Sequence, residues 1–134
     1  MAKVHVEVVT PEKRLLSVDA DEVIAPGALG LFGVRPGHAP YLSLVEPGLL
    51  TVNETGKQHR FFVGGGFVQV SQGNVRVLAD QAEAVEKIDT SAAKKRIAEA
   101  EARLNQLSPA DPKVAIERET IRRENKRVEI AAKF

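Results

Sequence analysis

The chain has no cysteine and no tryptophan. Without thiols it has no disulfide framework, no thiolate metal site and no cysteine nucleophile, so its fold cannot depend on oxidation. Only six of the 134 residues are aromatic, five Phe and one Tyr, although 43% are hydrophobic. Any core must therefore be aliphatic, built on Val, Leu and Ile. Long apolar runs are missing as well: nothing approaches the ~20 residues that a bilayer-crossing helix needs. The opening "MAKVHVEVV" carries neither an apolar signal core nor an Arg- and Ser-rich transit segment. Any membrane association is therefore expected to be peripheral and to run through a partner.

What is present divides in two. The net charge of +1 conceals 8 Lys+Arg against 11 Asp+Glu in residues 1–90, and 11 against 7 in residues 91–134. The periodicity divides with the charge. Up to about residue 88 it is two. "VHVEVV" puts Val4, Val6 and Val8 on one face; "LLTVNETGKQHRFFV" reads as two strands turning at Thr55-Gly56, and "FVQVSQGNVRVLAD" as two more turning at Gly73-Asn74. Short strands at intervals of about 8–12 residues, punctuated by Gly, Pro and Asn, predict an antiparallel sandwich or flattened barrel. No helical stretch separates them, which argues against a doubly wound nucleotide-binding sheet.

After "VEKIDT" the period becomes helical. Ala93, Ile97, Ala100, Leu104 and Leu107 form an apolar seam, with Asp89 or Thr90 placed to cap the first turn. "LSPADPK" interrupts: Pro109 cannot continue a helix, Asp111 is a good cap and Pro112 fits a first helical position. A second helix from about Pro112 to Ala132 follows, and so short a connection makes the pair antiparallel neighbours. Its seam is thin. Val114, Ile121 and Val128 recur every seven residues, with Glu117 and Glu124 between them. The expected architecture is α+β: an N-terminal antiparallel β-sandwich domain over residues 1–88, then a C-terminal antiparallel two-helix hairpin domain over residues 89–134, loosely attached.

Four features are candidates for function. "GLFGVRPGHAPYLSLVEPG" (residues 30–48) is rich in Gly and Pro, and "VGGGFVQV" (residues 63–70) in Gly. Neither opens into a helix as a phosphate-binding loop must. His38 has no acidic or nucleophilic neighbour in sequence, which favours a turn histidine bonded to backbone over a catalytic one. The three histidines show no metal-ligand spacing, and His5 and His59 fall at solvent-facing strand positions. The apolar tip "ALGLF", Ala28 to Phe32, reads either as a loop folded onto the core or as a partner-contacting hairpin end. On the second helix Arg118, Arg122, Arg123, Lys126 and Arg127 form a basic stripe. Glu119–Arg123 and Glu124–Arg127 pairs balance part of it, but like charges at i,i+4 repel, so an acidic partner is as good a reading as a solvated face. Near-neutral overall charge and few stacking aromatics weigh against nucleic acid.

Three segments in order, "GVRPGHAP", "VGGGFVQVSQGNVRVLADQAE" and "IDTSAAKKRIAEAEARL", resemble the epsilon subunits of bacterial F-type ATP synthases over nearly the whole chain. The resemblance implies a non-catalytic rotor component at the foot of the central stalk, on the cytoplasmic face of the bacterial plasma membrane. Its implied partners are the gamma subunit, the c-ring and the beta subunit, with the membrane reached only through the complex. It also implies a hairpin that extends toward the catalytic head and hinders ATP hydrolysis. By that analogy Ala28, Leu29, Leu31, Phe32, Arg35 and His38 contact gamma and ring, and the stripe meets an acidic segment of beta. Leu31 stands where many members have an acidic or polar residue, so an apolar ring contact is expected. Some members bind ATP through I/L-D-x-x-R-A; here Ile88 and Asp89 match, but Ala92 replaces the arginine. Losing that charge-assisted partner removes about 1.5–3 kcal/mol, so weak or no ATP binding is expected, and no cofactor.

Overall fold

The computed structural model describes residues 2–134. It separates into two compact units, Met1–Val85 and Glu86–Phe134.

The first unit holds ten strands: β1 (Val4–Val9), β2 (Arg14–Ala20), β3 (Glu22–Gly27), β4 (Gly30–Val34), β5 (Tyr41–Val45), β6 (Gly48–Glu54), β7 (Lys57–Val63), β8 (Gly66–Ser71), β9 (Asn74–Ala79) and β10 (Ala82–Ala84). They join in the order β10-β7-β6-β3-β5-β8-β9-β1-β2, with β4 added on β3. The period-two reading holds residue by residue: β1 buries Val4, Val6 and Val8, and β9 buries Val75, Val77 and Ala79. Leu50, Val52, Phe61, Val63, Val68 and Val70 complete an interior that is mostly valine. β-branched side chains fit a half-buried pleated surface, so an aliphatic composition and a sheet architecture are one choice rather than two.

Two details depart from the sequence reading. The β1–β9 pair is parallel, with Val6 opposite Val75 and Val8 opposite Val77, inside an otherwise antiparallel sheet. The β8–β9 turn sits one residue earlier than expected: Gln72 (φ 43°) and Gly73 (φ 81°) are its central residues and Asn74 already begins β9. Positive φ at both positions matches the twist of the flanking strands. Gly66 is required for another reason. A Cβ there would lie 2.1 Å from the Leu78 carbonyl oxygen, so only glycine lets β8 approach β9 so closely.

The second unit begins with a 3₁₀ turn, itself starting at the close of the first (Val85–Lys87), followed by α1 (Thr90–Asn105) and α2 (Lys113–Lys133). Asp89 caps α1, its carboxylate accepting from the Ala92 N–H at 3.0 Å. Asp111 serves α2, with Oδ1 accepting from the Lys113 N–H at 2.9 Å. Pro112 precedes the first helical residue rather than being it. Ala93 and Ala100 are fully buried on α1, with Ile97, Leu104 and Leu107 half-buried, as their spacing requires. On α2 the outcome differs. Val114, Ile121 and Val128 are only half-buried, while Glu124, Arg127 and Ile130 are buried.

Candidate interaction surfaces

In the first unit the β3–β4 hairpin turns at Ala28 and Leu29, between the opposed glycines Gly27 and Gly30. Gly30 has φ 116°, and a Cβ on Gly27 would meet the Phe32 ring at 2.9 Å. The tip is exposed rather than folded onto the core: Leu29 is 105% and Leu31 70% accessible. Phe32 instead turns back, half-buried, and meets Tyr41 edge-on with ring centroids 5.6 Å apart. His38 also packs against Tyr41, with ring centroids 5.7 Å apart, and its Nδ1 lies 2.7 Å from the Ala39 carbonyl oxygen. The turn-histidine reading therefore holds. Arg35 reaches Glu22 on β3, Nε to Oε2 at 2.9 Å. The six expected contact residues thus occupy one hairpin and the loop after it, but only Leu29 and Leu31 offer large apolar area.

A second surface escaped the sequence reading. Across the outer face of the sheet, Leu44 of β5 lies opposite Phe67 of β8, which lies opposite Leu78 of β9. All three are exposed, as is Leu42 two residues before Leu44. Four large apolar side chains on adjacent strands form a patch of the kind that marks a protein contact. The signal was present as strands apolar at nearly every position, broken only by Ser43 in "YLSLV" and Gln69 in "FVQV". The next row is polar. Leu42 faces Gln69, then Arg76, then Glu7.

His5 lies on that polar half. Its Nδ1 is 3.0 Å from Asp19 Oδ1, and Ser17 Oγ is 3.2 Å from its Nε2. The order is that of a nucleophilic triad, yet Ser17 and Asp19 are exposed, and Glu7 Oε1 also lies 3.8 Å from Nε2. In bulk water an oxyanion would gain little from such a setting. The arrangement is a polar ladder across β1 and β2. His5 and His59 are partly buried and partnered, by Asp19 and Glu54 respectively, rather than simply solvent-facing. Among the described residues no group of three or more His, Cys, Asp or Glu is placed to hold a metal ion. No helix among them is long and apolar enough to cross a membrane.

In the second unit the basic stripe does not form one open face. Arg118 and Arg122 are exposed, Arg123 and Lys126 half-buried, and Arg127 is buried. Arg127 is held by Glu124, Nη1 to Oε1 at 2.8 Å and to Oε2 at 3.1 Å. That pair was expected; its burial was not. Glu119 pairs with Arg122 at 3.2 Å rather than with Arg123. Arg96 and Arg103 of α1 reach Glu124 and Glu117 of α2 at 3.0 and 2.9 Å. The Glu117 hydrogen bond holds the Arg103 guanidinium above its ordinary value. Asp89, the acidic residue of the degenerate nucleotide segment, already spends its carboxylate on the α1 cap.

Comparison with known proteins decides the family. Residues 3–85 match the family described as "ATP synthase, Delta/Epsilon chain, beta-sandwich domain". The chain is 56% identical over 128 residues to the ATP synthase epsilon chain of Myxococcus xanthus, covering 96% of this chain and 94% of that one. The chain belongs to the ATP synthase epsilon chain family. It is also 47% identical over 127 residues to the epsilon chain of Anaeromyxobacter dehalogenans strain 2CP-1, covering 95% and 96% of the two. In fold, it superposes with a TM-score of 0.83 on a chain of the Euglena gracilis mitochondrial ATP synthase (OSCP/F1/c-ring). The identity there is 23%, covering 98% of this chain and 82% of that one. A chain from the Tetrahymena thermophila mitochondrial ATP synthase central stalk and c-ring gives 0.61 at 18% identity, covering 94% and 96%.

Proposed function

We propose that this epsilon chain is a non-catalytic rotor part, seated in the central stalk on the cytoplasmic face of the bacterial plasma membrane. It couples the c-ring to gamma through its sandwich and restrains ATP hydrolysis through its hairpin. The observation that carries the stalk role is the exposed apolar surface of an epsilon-family sandwich: Leu42, Leu44, Phe67 and Leu78 on the sheet, and Leu29 and Leu31 at the tip. Left in water, such area costs about 25 cal/mol per Å², and a protein partner relieves it. A well-packed valine core suits a part that must transmit torque without yielding.

The restraint falls to the exposed part of α2. Arg118, Arg122 and Lys126 offer cations to an acidic segment of the catalytic head, the last two from solvent-screened pairs with Glu119 and Glu129, and Arg127 does not, because it is buried against Glu124. A switch of this kind needs only a few kcal/mol between its two states. Ala92 and the capped Asp89 support weak or absent ATP binding.

One set of variants in the assembled complex tests both halves. Leu44→Asp with Leu31→Asp is expected to release the chain from gamma and ring on purification while leaving its own melting unchanged. Alanine at Arg118, Arg122 and Lys126 is expected to keep the chain bound and raise ATP hydrolysis several-fold, an effect on the order of 1 kcal/mol. Retention of the first variant would remove the apolar surfaces from the assembly. An unchanged hydrolysis rate in the second would remove the stripe from the mechanism.

A further inference from the structure

The seam between α1 and α2 is charged where an antiparallel helix pair is ordinarily apolar. Arg96 Nη1 donates to Glu124 Oε1 at 3.0 Å, and Arg103 Nε to Glu117 Oε1 at 2.9 Å. Seven residues separate the two arginines, and seven the two glutamates. In antiparallel helices that spacing stacks the pairs as two rungs, two turns apart. The Glu124 side chain is 2% and the Glu117 side chain 14% exposed, and Glu117 Oε2 is buried without a hydrogen-bond partner among the described residues.

The buried apolar residues of α1 between and beside the rungs are the small Ala93 and Ala100. Small side chains present a nearly smooth surface, so they tolerate a slide of one helix along the other. The rungs do not. A slip of one turn would take both α1 arginines away from the carboxylates: Glu124 would keep only Arg127 of its own helix, and Glu117 would lose Arg103, the costly outcome for a desolvated charge. Charge rather than shape therefore defines which alignment is closed.

We propose that the two ionic rungs are the latch of the hairpin. They select its register, and the helices part when the rungs are broken and close when complementary charge is restored. The regulatory meaning of the latch rests on the restraining role proposed above; its physical existence does not. Sites seven residues apart also define what can compete for α1: a helix offering two carboxylates at that spacing.

The full chain has no native cysteine. Nitroxides on cysteines placed at the exposed Ala102 and Ala115 therefore report the helix separation by pulsed EPR. Arg103→Glu and Glu117→Arg, each alone, are expected to raise the ratio of open to closed hairpins about threefold or more. The combination Arg103→Glu/Glu117→Arg is expected to bring the closed distance back. The apolar pair Arg103→Leu/Glu117→Leu is expected to stay closed with a broadened distance, because it keeps the contact and loses the register. Single reversals that leave the distribution unmoved, or a double reversal as open as the singles, would overturn the latch. No hydrolysis is measured, so a failure here leaves the restraint standing, and a failure of the stripe variants leaves the latch standing.

Discussion

The two units of this chain solve the problem of holding together by opposite means. The sandwich excludes water from a nearly continuous valine interior, with no charged group among its buried residues as described. The hairpin brings Glu124 and Arg127 to 1% and 3% exposure and surrounds them with further charge. Apolar burial is non-directional and accumulates with area, so it makes a stiff body. Buried ion pairs add little net stability, because desolvation cancels most of the attraction, but they penalise wrong arrangements. Within one chain, rigidity is assigned to the sheet and selectivity to the helices.

The variant expected to act most strongly strikes the dry interior. Leu50 is fully buried in the sandwich core, so Leu50→Ala should lower its unfolding free energy by about 2–5 kcal/mol, read by urea denaturation of the strand signal. A loss well under 1 kcal/mol would mean that the interior is not the packed body described. Next comes the charged seam. Glu124→Gln keeps the side-chain shape but removes the carboxylate from Arg96 and Arg127, with an expected local cost of about 2 kcal/mol. Hydrogen exchange should show the amides of α1 and α2 losing protection while those of β1, β8 and β9 do not. Equal loss in both sets would erase the distinction between the units.

The smallest effect sharpens the comparison at the surface of the sandwich. Asp21 accepts hydrogen bonds from Lys3 and Thr55, and the Lys3 bond above all holds its carboxyl below the ordinary 3.8. A lowered folded value means that the stabilisation is complete above 3.8 and disappears as pH falls through the folded value. The difference in urea midpoint between wild type and Asp21→Asn should therefore be slight near neutrality and vanish in acid. A difference that grew toward low pH would reverse the assignment.

Much of this was legible in the sequence because the physics is local. The alternation in "VHVEVV", the glycines of the β3–β4 tip, the Asp89 cap and the alanine seam of α1 each follow from rules spanning fewer than about ten residues. What escaped depends on distant neighbours. The parallel β1–β9 pair joins segments some seventy residues apart, and no short window contains it. Leu42 and Leu44 lie on a strand with apolar residues on both faces, so periodicity cannot say which face meets water, and Phe67 and Leu78 join them only through cross-strand pairing. Glu124 and Arg127 read as a surface pair because burial of a charge depends on what the other helix brings, here Arg96.

The same parallel pair orders events during synthesis. β1 leaves the ribosome before every other strand of the sandwich, yet its partner β9 ends at Ala79. Until then Val4, Val6 and Val8 have only the β1–β2 hairpin to shelter against, and an isolated two-stranded hairpin is marginal in water. The sandwich must therefore shut in a late, non-local step, when most of its residues have already been translated. A chain stalled after β8 would leave that valine-rich flank uncovered, the kind of surface through which incompletely folded chains aggregate.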